Sequence, residues 1–242
     1  MVQMDEIYGH RARIGYTSPA LLTEVFTHDF YRLAPAGVSL VLTTLAVFDR
    51  SKDEIERSYE MSLQLARAMA ASGVDVVVLG GVTINLLRGY ANADRILSDL
   101  ASELGVKVTS SAAAQRKALA ALGAKKLVIA RSYPSQGEFR LSEYAGCTVL
   151  GTVEGKELFR DVGLIKPGFA LELGRAAMRA HPDADTIMFP SPHWPVVDAI
   201  APLEREFGVS VMSALQAIVW DALRLTGIDD RIDGYGRLLR EF

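Results

Sequence analysis

Residues that could transfer protons are concentrated in the hexapeptide at 190–195, which combines three prolines with Ser191, His193 and Trp194. Each proline fixes its own φ angle and lacks a backbone N–H, so the segment is stiff. The ordinary pKa of an imidazole lies near neutrality, which suits an acid or a base. The pattern predicts Ser191 and His193 as catalytic residues, with Pro192 and Trp194 beside the substrate. The alternative is that His193 is a surface loop residue.

This hexapeptide follows a short apolar run at 185–189, which is typical of a strand covered on both faces. The loop should therefore emerge at the carboxyl end of that strand. In open α/β sheets, ligands bind at that end.

Hydroxyl and amide side chains also follow most of the other predicted strands. They are Thr17, Ser18, Thr43, Thr44, Thr83, Asn85, Ser110, Ser111, Ser132, Tyr133, Ser213 and Gln216. Such groups, together with loop amides, can bind a carboxylate without a formal positive charge. The alternative at each position is that the side chain caps the following helix. Because the pattern recurs in both halves, we expect Ser18, Ser111 and the hydroxyl donor Tyr133 at a binding site, although Tyr133 could also simply pack.

The turn at 80–85 lacks the lysine of a Walker A loop and the spacing of a dinucleotide fingerprint. Gly81 could instead let a ligand approach the backbone at Val82, with Thr83 and Asn85 directed at it. An ordinary tight turn between a strand and a helix is the alternative.

Composition excludes several classes of function. The chain has 242 residues, half of them hydrophobic, and a net charge of −3 without a basic run, so we expect small-molecule partners and no nucleic acid. Cys147 is the single cysteine and the histidines are not clustered, which predicts no metal site and a reducing, cytoplasmic location. The acidic residues at 1–6 and the absence of a long apolar stretch predict neither export nor a membrane association.

Alternating strand and helix patterns predict the α/β class with parallel sheets and two similar lobes. Strands are expected at 13–16, 38–42, 75–79, 106–109, 126–130, 147–150, 186–189 and 209–212. Helices are expected at 19–33, 51–73, 90–104, 112–122, 168–181, 196–207 and 215–225. We assign 1–111 plus 215–242 to lobe 1 and 112–214 to lobe 2, each a four-stranded parallel sheet flanked by helices.

Five segments together resemble the aspartate/glutamate racemase superfamily, and within it the branch of arylmalonate decarboxylase and maleate cis-trans isomerase. They are residues 76–85, 108–112, 130–133, 198–204 and 208–217. The resemblance implies two pseudosymmetric lobes with a cofactor-free active site in the cleft between them. The resemblance is also compatible with a homo-oligomer.

The chain departs from this superfamily at its reactive residues. The resemblance implies one cysteine from each lobe in racemases and isomerases, and only the second in the decarboxylase. The first position matches Gly81 and the second matches Ser191, whereas Cys147 begins a different strand. Pro192 also lacks the amide hydrogen that a glycine offers there. Tyr133, Thr83 and Ser111 match or approximate the family's carboxylate-holding positions.

Three functions remain open for such a chain. The first is a cofactor-independent, decarboxylase-like lyase of a small carboxylic acid, in which His193, with or without Ser191, moves a proton. The second is an isomerase or racemase of a small acid such as a maleate-type dicarboxylate. The third is a catalytically silent relative that binds a small acid.

Overall fold

The computed structural model describes residues 7–134 and 146–242, and its strands form two parallel four-stranded sheets. The first sheet contains β1 (Ala12–Ala20), β2 (Val38–Val47), β3 (Val76–Leu79) and β4 (Lys107–Ser110), in the order β2-β1-β3-β4. The second contains β5 (Lys126–Arg131), β6 (Thr148–Glu154), β7 (Thr186–Phe189) and β8 (Ser210–Ser213), in the order β6-β5-β7-β8. The predicted α/β class and the two similar sheets are confirmed.

Helices connect the strands and cover the sheets. They are α1 (Glu24–Leu33), α2 (Lys52–Ala71), α3 (Val82–Asn85), α4 (Ala93–Leu104), α5 (Ser111–Ala121), α6 (Gly168–Ala180), α7 (Val197–Phe207), α8 (Ala214–Leu225) and α9 (Arg237–Glu241), with short 3₁₀ segments at Tyr90–Asn92 and Phe159–Leu164. Helix α2 begins at the predicted cap, where Ser51 accepts a hydrogen bond from the N–H of Glu54.

In each sheet, an aspartate connects the two central strands, β1 and β3 in the first and β5 and β7 in the second. The N–H of Asp75 donates to the carbonyl of Arg13 at 2.9 Å, and its carboxylate accepts from the N–H of Arg13 at 2.7 Å. Asp185 repeats both bonds with Lys126, each at 3.0 Å. Since these residues occupy equivalent positions beside the two central strands, the lobes share local interactions as well as strand order.

Most buried apolar residues of α5 and of α8 pack against different sheets, although Ala114 of α5 joins the core of the first sheet and Ala217 of α8 that of the second. Leu215 and Ile218 of α8 pack with residues of the first sheet. Ala118 and Leu119 of α5 pack with Leu127 and other residues of the second sheet, although α5 directly follows β4. This packing supports the division at 111/112 and 214/215, which stays a prediction.

The first two strands are longer than predicted. The expected helix start at Pro19 is wrong, because β1 continues to Ala20 and α1 begins only at Glu24, although it ends at Leu33 as predicted. Strand β2 likewise continues past Thr43 and Thr44, which pair with Thr17 and Ser18. Continued pairing between the two strands outweighs the local signals that placed the strand ends earlier.

No helix within the described residues is long and apolar enough to cross a membrane. Residues 1–6, on which the expectation about export was based, lie outside the described part.

Replacement of Asp185 tests the aspartate that holds β5 and β7. Its carboxylate also accepts from the N–H of Lys125 at 3.2 Å and from the hydroxyl of Thr186 at 2.8 Å. Asp185→Ala leaves these donors without an acceptor and should lower the free energy of unfolding by about 1–3 kcal/mol in urea titrations. Asp183 is exposed and provides a control. Asp183→Ala should change the free energy of unfolding by less than about 0.5 kcal/mol. Equal losses in both variants would contradict this role.

Candidate active site

A cavity of about 100 Å³ lies where the carboxyl ends of the two sheets meet. Its lining includes Gly81 after β3, Ser111 after β4, Tyr133 after β5, and Ser191 after β7. The cavity is therefore built from both lobes, at the strand ends where the sequence predicts ligand binding. The remaining lining residues are Pro19, Val47, Arg50, Ile55, Val82, Thr83, Ile84, Arg131, Phe159, Pro190, Pro192 and His193.

The backbone of β1 positions the turn that carries Gly81. The N–H of Gly80 lies 3.0 Å from the hydroxyl oxygen and 3.1 Å from the carbonyl oxygen of Thr17. A Cβ atom at Gly80 would lie 2.0 Å from that carbonyl, so only glycine fits. Gly81 then adopts a φ of 81°, which favours glycine and directs the chain into α3.

Asn85 joins this turn to the start of α5. Its amide nitrogen donates to the carbonyl of Gly80 at 3.2 Å, and its amide oxygen accepts from the N–H of Ala112 at 3.3 Å. The side chain thereby fixes the position of Gly81 relative to Ser111. Asn85 lies behind the described cavity lining, where it supports the turns that form it.

The hexapeptide at 190–195 carries its side chains to different places. Ser191, Pro192 and His193 line the cavity. Trp194 is buried in the second lobe, with its ring 6.0 Å from Phe169 and 5.8 Å from Phe189. The stiff segment thus presents a hydroxyl and an imidazole together, while its indole anchors it in the core.

His193 crosses from the second lobe into the first. Its ring centroid lies 5.4 Å from that of Phe26 and 6.1 Å from that of Tyr16, and those two rings stack on each other at 4.2 Å. The Tyr16 hydroxyl oxygen is 3.4 Å from Nε2. His193 is 1% exposed, and Nδ1 has no hydrogen-bond partner among the described residues.

Burial changes the proton chemistry expected of His193. Desolvation disfavours the charged imidazolium and lowers the pKa of His193 to about 3. The near-neutral pKa of a solvated imidazole therefore does not apply to His193 in the folded protein. At neutral pH His193 carries one ring proton and no charge. Burial also raises the pKa of Tyr16, so that its phenol stays protonated.

Two hydroxyls in the cavity are buried without a partner. Ser191 is 4% exposed and Ser111 is 1% exposed. Within the described chain, neither Oγ has a hydrogen-bond partner of good geometry, although the Ser111 hydroxyl lies near the Tyr16 phenol and partly offsets the rise in the pKa of that phenol. Buried polar atoms are usually satisfied, so these two oxygens are available to a bound ligand.

Three of the predicted site residues point elsewhere. Ser18 donates its hydroxyl to the carbonyl of Ala20 at 3.0 Å, within its own strand. Asn85 and Trp194 have the supporting contacts described above. As far as the structure describes the chain, the lining contains the other eight: Tyr133, Gly81, Val82, Thr83, Ser111, Ser191, Pro192 and His193. Their roles in catalysis or binding stay predictions.

Sequence reasoning missed two arginines in the lining, Arg50 and Arg131. Arg131 is the last residue of β5, and Arg50 lies between β2 and the cap of α2. The signal for Arg131 is a charged residue at the carboxyl end of an apolar strand, whereas Arg50 gives no comparable signal.

A second cavity and the single cysteine lie outside the lining described above. A second cavity of about 280 Å³, lined mainly by apolar residues such as Leu22 and Phe48, adjoins the first at Val47 and Phe159. Cys147 is half-buried at the start of β6, where its Sγ donates to the carbonyl of Ala124 at 3.3 Å. The described residues contain no group of three side chains suited to a metal ion.

Comparison with known proteins agrees with this architecture. The family model for arylmalonate decarboxylase matches residues 28–239. The arylmalonate decarboxylase of Bordetella bronchiseptica is 30% identical over 222 residues, which cover 88% of this chain and 90% of that protein.

Solved structures extend the comparison to three dimensions. Unliganded arylmalonate decarboxylase matches with a TM-score of 0.81 and 26% identity, covering 96% of this chain and 100% of that one. The maleate cis-trans isomerase of Nocardia farcinica bound to TRIS has a TM-score of 0.80 at 22% identity, covering 95% and 98%, and so shares the fold. From its sequence and its two-sheet architecture, the chain belongs to the arylmalonate decarboxylase family.

Proposed function

We propose that the protein is a cofactor-independent lyase that removes a carboxylate from a small carboxylic acid. The observation that carries this proposal is a small cavity in which buried, unpartnered oxygens of Ser111 and Ser191 lie with the neutral imidazole of His193. A dry cavity about 150 Å³ in volume accommodates benzene, so about 100 Å³ suits an acid of a few carbon atoms.

The hydroxyls of Ser111, Thr83 and Tyr133 would hold the carboxylate that is retained. The first amides of α3 also lack partners within the helix and can donate to the same group. When the C–C bond to the departing carboxylate breaks, its electron pair moves into the retained carboxylate and forms an enediolate. Preorganised donors stabilise this developing charge most where water is excluded.

Ser191 would deliver the proton that the α-carbon then requires. A hydroxyl is a much weaker acid than a thiol, but an enediolate is a strong base. The neutral imidazole of His193 would orient the hydroxyl or the reacting group, because an imidazolium is absent at its lowered pKa. Once product leaves, water that enters the cavity can return a proton to Ser191.

Isomerisation or racemisation of a small acid is less well supported. Two-base chemistry needs a proton-transfer group on each side of the substrate, and Gly81 supplies none. A catalytically silent relative would retain the binding hydroxyls and turn over no acid.

A panel of substrates in heavy water distinguishes these functions. The panel contains 2-substituted malonates, maleate and small amino acids. The lyase releases carbon dioxide and incorporates deuterium at the α-carbon, which mass spectrometry and NMR detect. A changed alkene geometry or deuterium exchange without loss of carbon dioxide would identify an isomerase or a racemase. Thermal stabilisation by an acid without any conversion would identify a silent binder.

The Ser191→Ala variant tests the proton donor. Loss of a positioned acid should lower kcat by about 10²–10⁴-fold while the thermal unfolding curve stays close to that of the wild type. Ser58 is a matched control, since its hydroxyl is also buried without a partner among the described residues but lies on α2 outside the lining. Ser58→Ala should retain wild-type kcat. Full activity in Ser191→Ala would refute the assignment.

The lowered pKa of His193 predicts a pH dependence of stability. The pKa is 6.5 in the unfolded chain and about 3 in the folded one, so the unfolded state binds more protons between these values. The contribution of His193 to the free energy of unfolding is therefore fully present above pH 6.5, and it decreases as the pH falls from 6.5 towards 3.

The decrease in the free energy of unfolding at acidic pH should be smaller in His193→Gln than in the wild type. Urea titrations at pH 7, 5.5 and 4.5 measure it. The control is His28→Gln, whose ring is 72% exposed, and it should keep the wild-type dependence. An identical decline in wild type and His193→Gln would show that His193 is charged in the folded protein.

A further inference from the structure

We propose that Tyr16 is a positioning residue through which a carboxylate bound at Ser111 selects the nitrogen of His193 that carries the ring proton. This inference rests on the proposed function only in placing a carboxylate against the Ser111 hydroxyl. Tyr16 is fully buried on β1 and is not part of the described lining of the cavity. Its phenol would therefore act through its two neighbours, Ser111 and His193, which do line the cavity.

The phenol of Tyr16 has a polar neighbour on each of these two residues. Its oxygen is 3.4 Å from Nε2 of His193. The Ser111 hydroxyl lies near the same phenol, although without a hydrogen bond of good geometry. Hydrogen bonds of an active site are often long before a substrate binds and shorten in the complex. A polar path therefore connects the cavity wall at Ser111 with the imidazole.

Packing holds the phenol in this place. The ring of Tyr16 stacks on that of Phe26, with the centroids 4.2 Å apart and an angle of 7° between the planes. A Cβ atom at Gly80 would lie 3.0 Å from Cζ of Tyr16, so the glycine leaves the room that the phenol occupies. Since a close-packed ring has little freedom to move, its oxygen stays beside the same two neighbours.

The directions of the hydrogen bonds along this path are linked. The neutral imidazole has one N–H, and Tyr16 and Ser111 each have one O–H. If Ser111 donates to Tyr16, then Tyr16 donates to Nε2 and the ring proton is on Nδ1. If Nε2–H donates to Tyr16, then Tyr16 donates to Ser111, whose own proton is free for the cavity. Both directions use the same contacts, so we expect both tautomers of His193 in the absence of an acid.

A carboxylate removes this balance because it only accepts hydrogen bonds. Ser111 must then donate to the carboxylate, Tyr16 to Ser111, and Nε2–H to Tyr16. Nδ1, which has no partner among the described residues, keeps a lone pair and can accept a proton from a hydroxyl. Binding of the retained carboxylate thus converts His193 into an acceptor in the lining of the cavity.

NMR of the imidazole nitrogens tests this link without turnover. Butyrate has one carboxylate to bind and no second one to lose, and isothermal titration calorimetry follows its binding. In protein with isotope-labelled histidine, long-range proton–nitrogen spectra show which ring nitrogen is protonated, and His193→Gln identifies the signals of His193. Saturating butyrate should shift the wild type from a mixture of tautomers to the form protonated at Nε2.

Variants assign this response to the phenol. Tyr16→Phe keeps the ring, and it should abolish the response and weaken butyrate binding by about two- to tenfold, as expected for one hydrogen bond. Ser111→Ala should also lose the response. The double variant should bind butyrate no more weakly than Ser111→Ala, because Tyr16 acts through Ser111.

Tyr59→Phe is the matched control. The ring of Tyr59 is also buried, but it lies on α2 outside the described lining of the cavity. Removal of its hydroxyl should leave both the butyrate affinity and the response of His193 as in the wild type.

Three results would overturn the role of Tyr16. The first is that butyrate does not bind, or that it does not raise the Nε2-protonated fraction in the wild type. The second is an undiminished response in Tyr16→Phe or, if that variant does not fold in thermal unfolding, in Ser111→Ala. The third is additive losses of affinity in the double variant. A failed lyase assay together with a Tyr16-dependent response would instead refute the proposed reaction and retain this role.

Discussion

The insertion of His193 between the lobes is the contact on which the site depends. The ring belongs to the second lobe but packs against Phe26 and Tyr16 of the first. The start of α7 follows it there: Val197 joins the first core, and Asp198 pairs with Arg32. These contacts hold the strand ends of both sheets around one cavity. The same burial lowers the pKa of His193 and removes its charge, so the geometry and the proton chemistry have one cause.

Residues behind the lining determine where its groups lie. Thr17 holds the turn at Gly80, Asn85 connects that turn to α5, and Glu54 fixes the loop of Arg50. Each is a polar side chain bonded to backbone N–H or carbonyl groups. Such bonds restrict loops that would otherwise be mobile, and a site that stabilises charge needs fixed donors.

Much of this arrangement could be predicted because strand ends are visible in sequence. Apolar runs end just before Gly81, Ser111, Tyr133 and Ser191, and parallel sheets bring such ends together. The direction of each side chain could not be read in this way. The pattern predicts both Trp194 and His193 at the site, but the Trp194 ring turns into a core beside Phe169 and Phe189.

The pKa of His193 and the position of Arg50 are hidden from the sequence for a related reason. A sequence shows the type of an ionisable group but not how much water surrounds it. Arg50 reaches the cavity through a left-handed turn that Glu54 stabilises, and a local pattern does not predict such a conformation for arginine.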